Sequence, residues 1–138
     1  MWLDASDDHK DYILYDRMID KGECGLERPD FLYDCGTHYL VLEVDENQHK
    51  DKSYSCDYAR MVNISQSLGL QTIFLRYNPD SFQGGSVNMA KRRDSLLKWI
   101  TFLKTNPPKE YFLSRVQLFY DGYKEFETKI EGLINYEF

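Results

Sequence analysis

The stretch Val41-Leu42-Glu43-Val44-Asp45-Glu46-Asn47-Gln48-His49 places three carboxylates within four positions and a histidine shortly after them. In an extended chain, residues i and i+2 share a face, with Cα atoms about 6.5–7 Å apart. Glu43 and Asp45 therefore point the same way, while Leu42 and Val44 face the opposite side, toward a core. Asp30 opens the preceding extended segment, and a hairpin turn near residues 35–37 brings it to the Glu43–Asp45 end. Three ionised carboxylates gathered on adjacent strands repel one another unless a counter-charge is present. A hard divalent cation, Mg²⁺ or Mn²⁺, meets that need with oxygen ligands and retained waters. A cation held there would polarise a phosphate and lower the pKa of a bound water, the chemistry of phosphodiester hydrolysis. The competing reading makes the same acids the solvated face of an edge strand. His49 divides in the same way, between a loop or capping residue and a general base that orients the attacking water.

The elements that must position these groups follow from periodicity and punctuation. Residues 11–18 fit either a short helix or an extended lead-in, and Gly22 and Gly25 mark a loop. Pro29 suits the first position of a strand running through Asp30-Phe31-Leu32-Tyr33-Asp34, because it cannot donate to a ladder. Residues 34–38 read as a hairpin turn, and residues 39–45 as an antiparallel partner strand. From about Asp57 to Leu68, Met61, Ile64 and Leu68 recur at helical spacing, with Gly69 as the cap. Residues 72–78 are almost continuously apolar, which predicts a central strand. Leu96, Leu97, Ile100 and Leu103 line one face of a helix over 89–104, ended by Pro107-Pro108. Residues 111–122 alternate as a strand does, and residues 123–134 read as a last helix or a helix-strand piece. The order β-β-α-β-α-β predicts a mixed central sheet flanked by helices, of α/β or α+β class.

Composition bounds the function classes. A chain of 138 residues, 42% hydrophobic and 29% charged, fits one soluble domain spanning 1–138. No apolar run approaches a membrane span and no signal-peptide pattern opens the chain. Cys24, Cys35 and Cys56 are too few and too scattered for a disulfide framework, so an intracellular setting, cytoplasm or nucleus, is expected. The net charge of −6 argues against a general nucleic-acid binder, although bound cations would offset several carboxylates. Lys91, Arg92 and Arg93, with Lys98 and Lys104, form a local basic region. Cys35-x-x-His38 has the spacing of zinc ligands; free buried cysteines are the favoured reading and structural zinc the alternative.

The segments Arg28-Pro29-Asp30, Glu43-x-Asp45-Glu46-x-Gln48-His49, Cys56-Asp57-x-x-Arg60 and Phe74-x-Arg76-Tyr77-Asn78-Pro79-Asp80 occur in an order that carries a family resemblance. Together they resemble the PD-(D/E)xK nuclease superfamily, in its branch of very-short-patch-repair-like and homing-type endonuclease domains. The likeness is nearest to a family of large DNA viruses and algae. It covers residues 14–85 densely and the remainder by layout. The resemblance implies a restriction-endonuclease-like fold and a metal-dependent DNA endonuclease of viral type. Asp30, Glu43 and Asp45 would then be the metal-holding acids and His49 a catalytic histidine. It implies that Arg60 holds a phosphate or braces a carboxylate, and that Asn78 and Asp80 close the site or cap a turn. Arg76 is expected at the core edge, paired with Asp80 or Glu43. One departure is plain: Asp45 stands where the superfamily usually carries the water-activating lysine, leaving His49, Lys50 or Lys52 to supply that charge. Lys50, Lys52, Arg60, Lys91, Arg92 and Arg93 are the candidate contacts to nucleic acid, the last three being otherwise the solvated start of a helix. Duplex or branched DNA is the expected partner, and a double-strand cut would require a homodimer or sequential nicking. The other readings are a catalytically silent nucleic-acid-binding module of the same fold and an RNA-directed nuclease.

Overall fold

A computed structural model describes residues 31–44, 54–80, 88–121, 123 and 128–135, with side chains in the first helix from residue 58 onward. The elements run β1 (Phe31–Asp34), β2 (Tyr39–Val44), α1 (Tyr54–Leu68), β3 (Thr72–Tyr77), α2 (Met89–Thr105), β4 (Tyr111–Leu118) and β5 (Glu131–Asn135). The five strands form one mixed sheet in chain order. β1 pairs antiparallel with β2, β2–β3 and β3–β4 pair parallel, and β5 pairs antiparallel with β4. This is an α+β architecture. The β1–β2 pair is joined by the short turn over residues 35–38, whereas each parallel pair spends a helix on its crossover.

The two helices cover opposite faces. Leu42 and Leu75 pack with Leu96, Ile100 and Leu103 of α2. Val41 and Phe74 pack with Met61 and Ile64 of α1. β3, with parallel neighbours on both sides and a helix on each face, is buried along its whole length, as its apolar run predicts. Among the described residues, no helix is long and apolar enough to cross a membrane.

Local chemistry sets the boundaries. In the β1–β2 turn the Cys35 amide donates to the His38 carbonyl at 3.0 Å and the Gly36 amide to Asp34 Oδ1 at 2.9 Å. Gly36 carries the φ of +83° that this turn demands. α1 ends at Gly69, φ +77°, whose amide returns to the Ser65 carbonyl. Asn88 caps α2, its side-chain oxygen accepting from the Lys91 amide at 2.9 Å. Of the two expectations for residues 123–134, a helix or a helix-strand piece, the strand part of the second is found: residues 131–135 are extended and pair with β4 through shifts of register.

His38 ties the hairpin to the far end of α2. It is buried, its Nε2 lies 2.7 Å from the Leu103 carbonyl, and Thr37 Oγ1 lies 3.0 Å from Nδ1. A carbonyl only accepts, so Nε2 carries the proton. Both ring nitrogens are engaged, and zinc ligation through Cys35-x-x-His38 would cost this tie. Replacing His38 with Ala orphans a buried carbonyl, and a loss of about 1–3 kcal/mol is expected in urea unfolding.

Candidate functional site

The site is built where the parallel strands end. Register places Glu43 of β2 opposite Arg76 of β3, and Arg76 opposite Gln117 of β4. One pleat earlier, the same face carries Val41, Phe74 and Arg115. This is the face covered by α1. Glu43 is only 3% exposed and Arg76 only 1%. Alternation therefore assigns Glu43 to the face opposite Leu42, as expected, but that face is no open surface. The solvated edge-strand reading fails for this residue: β2 is an interior strand, with β1 outside it.

A buried carboxylate requires partners. Arg60 of α1 supplies one, its Nη1 donating to Glu43 Oε2 in a close ion pair. The helix brings it there because Arg60 precedes Met61, which is seated in the core beside Val41 and Phe74. The other oxygen, Oε1, is buried with no hydrogen-bond partner among the described residues. Most buried polar atoms are satisfied, so an orphaned carboxylate oxygen at a strand end is a feature to be explained. Further along the face, Arg115 holds Glu131 of β5 through Nε at 3.2 Å and Nη2 at 2.5 Å.

Asp30, Asp45, His49, Lys50 and Lys52 lie outside the described residues. Of the three expected metal-holding acids, only Glu43 is thus described. Asp30 directly precedes Phe31, whose Cα partner is Leu42, the neighbour of Glu43. Among the described residues, no group of three or more His, Cys, Asp or Glu side chains is placed to hold a metal ion.

The basic triplet divides. Lys91 and Arg93 are exposed, but Arg92 is 7% exposed. Its Nη1 donates to the carbonyls of Asn78 at 3.1 Å and Asp80 at 2.9 Å, and its guanidinium lies 5.0 Å from the centre of the Phe119 ring. The expectation that Arg92 opens a solvated helix face is corrected here. Helical phase explains it, because residues 92, 96, 100 and 103 form one stripe and the last three are the apolar core positions. That stripe was the missed signal.

Arg92 belongs to a cluster that closes the ends of β3 and β4. The Asn78 amide donates to the Leu118 carbonyl at 3.1 Å, and Asn78 Nδ2 donates to the Phe119 carbonyl at 2.8 Å. Asn78 Oδ1 accepts from the Asp80 amide at 3.0 Å. Asn78 thus caps a turn, one of its two expected roles. Phe119 takes φ +65°, a conformation costing a bulky residue about 1–3 kcal/mol. It is held there by that hydrogen bond, the guanidinium, and ring contacts to Tyr77 at 5.7 Å and Tyr123 at 4.7 Å.

Tyr77 lies at the edge of this cluster, its hydroxyl 4.0 Å from Met89 Sδ. Burial pushes its phenol above the ordinary value of 10, against the opposing pull of Arg92. A raised phenol pKa in the folded state stabilises the fold fully below pH 10, and that contribution is lost as pH rises through the folded value. Tyr77→Phe should therefore lose less stability than the native chain between about pH 9 and 11. Urea midpoints measured across that range read the difference; parallel curves would assign the alkaline loss to other groups.

Among the described residues, the fold defines an α+β protein with a mixed five-stranded sheet, two helices and a buried carboxylate–guanidinium pair. Comparison with family models, curated proteins and solved structures finds no match to the chain.

Proposed function

We propose that the chain is a metal-dependent endonuclease that hydrolyses DNA phosphodiester bonds, with Glu43 at the centre of its site. The observation that carries this reading is the half-satisfied Glu43 carboxylate, buried at the end of β2 with Oε1 unpartnered among the described residues. An acceptor of this kind, with Asp30 next to Phe31 and Asp45 two residues on, fits a hard divalent cation. Its motifs also resemble those of PD-(D/E)xK nucleases of restriction-endonuclease-like fold. Asp30, Glu43 and Asp45 would hold Mg²⁺ or Mn²⁺, which when bound supplies an activated water and neutralises charge on the phosphate.

The chain's own residues do the rest. Glu43 enters the site fixed by a sheet on one side and by α1 on the other, so its direction is set before any ligand arrives. His49, Lys50 or Lys52 supplies the positive or proton-accepting group that Asp45 replaces. Lys91 and Arg93, exposed on α2, contact the DNA backbone without reading sequence.

A second reading, a catalytically silent DNA-binding module, is favoured by one observation: the Arg60 guanidinium already neutralises the carboxylate a cation would use. Supercoiled plasmid incubated with the protein and Mg²⁺ or Mn²⁺ separates the two. Nicked or linear product is expected, and it should vanish with Asp30→Ala and with Glu43→Ala. Cleavage that survives both substitutions would overturn the site. DNA retardation without cleavage under either metal would establish the silent module.

A further inference from the structure

We infer that Arg60 is an exchangeable counter-ion of Glu43, so that cation binding and phosphate binding at this site depend on each other. The inference rests on the metal-dependent reading above and specifies how that site is controlled.

Glu43 is buried, and a buried carboxylate stays ionised only with a compensating charge. Arg60 provides that charge through Oε2, leaving Oε1 without a partner among the described residues. A full solution for a structural carboxylate would satisfy both oxygens, for instance through a bidentate guanidinium. The pair therefore neutralises the acid while leaving one buried oxygen without a hydrogen-bond partner among the described residues.

A divalent cation bound at Oε1 would sit beside the guanidinium on Oε2, and two cations on one carboxylate repel. Arg60 relieves this by moving its charge onto an anion. Its side chain is 15% exposed, against 3% for Glu43, so the guanidinium end of the pair has the route to solvent. A phosphodiester oxygen is a suitable acceptor, because the guanidinium fork matches phosphate as it matches carboxylate. When Arg60 turns to a phosphate, Glu43 gives up its resident cation and takes the divalent one. By linkage, phosphate then tightens metal binding and metal tightens phosphate binding by the same factor.

The test measures metal binding directly. Free Mn²⁺ is titrated by electron paramagnetic resonance against the full chain, with and without dimethyl phosphate as a non-chelating phosphodiester probe. In the native chain Mn²⁺ should bind weakly, and dimethyl phosphate should tighten it about fivefold or more, within the usual range for coupled sites. Arg60→Gln should bind Mn²⁺ about tenfold more tightly and lose the response to dimethyl phosphate. Arg60→Lys, which keeps the charge and guards against a folding defect, should retain weak Mn²⁺ binding with a smaller phosphate response. Unchanged or weaker Mn²⁺ binding in folded Arg60→Gln, or a native chain indifferent to dimethyl phosphate, overturns the inference. If Glu43→Gln still abolishes Mn²⁺ binding in that case, the metal site itself stands. Mn²⁺ binding that ignores Glu43→Gln would overturn both.

Discussion

Glu43→Leu combined with Arg60→Met is expected to give a chain as stable as the native one, although Arg60→Met alone should cost about 3–5 kcal/mol. The asymmetry follows from burial. Removing Arg60 takes the ion-pair partner from Glu43, a carboxylate only 3% exposed under α1. Removing both replaces a desolvated ion pair with apolar side chains of similar volume beside Met61, Phe74 and Val41. Denaturant midpoints of the four chains make the measurement, with the coupling read from the double-mutant cycle. Plasmid cleavage should fall by about two to three orders of magnitude in every chain lacking Glu43, including the stable double variant. That split between stability and cleavage would assign the carboxylate to chemistry. A double variant less stable than either single one would mean that the pair is a structural tie.

Arg92→Met should lower stability by about 3 kcal/mol, a fall in Tm on the order of 10 °C for a chain of this size. It removes the Nη1 group that donates to both the Asn78 and Asp80 carbonyls, and the cation over Phe119, whose φ of +65° depends on such support. Lys91→Ala and Arg93→Ala, on exposed positions of the same turn, should leave Tm within about 1–2 °C. In DNA-binding titrations each should instead reduce the slope of log affinity against log salt by about one. Thermal melts and salt-dependent retardation thus separate three adjacent basic residues that composition alone treats as one patch. An Arg92 variant with native Tm and a reduced salt slope would return it to the DNA-facing group.

The sheet was legible because its signals are local. Gly36 and Gly69 sit at the turns that require positive φ, the run over 72–77 is apolar enough for a central strand, and Leu96, Ile100 and Leu103 keep helical phase. Local signals do not specify which partner covers a face. Alternation separated Glu43 from Leu42 correctly, yet whether its face met water depended on α1, whose Met61–Ile64 stripe needs a surface of its own. At Arg92 the charge points to solvent and the helical phase points to the core, and phase prevails. The tie from His38 to Leu103 joins positions 65 residues apart and leaves no pattern that one chain can reveal. In and just before β5, Ile130, Leu133 and Ile134 suit a helix face as well as a strand, and pairing with β4 decides the outcome for residues 131–135.

The two ties on α2 also bear on how the protein breathes. Arg92 fastens the first turns of the helix to the carbonyls that follow β3, and His38 fastens its last turns to the β1–β2 turn. A helix secured at both ends to different parts of the sheet cannot fray from either end without disturbing a strand connection. Its amides from about residue 96 to 103 should exchange with solvent only when the sheet opens, as one cooperative unit with β2 and β3. Arg92→Met should convert that single opening into two, releasing the start of the helix while His38 still holds its end.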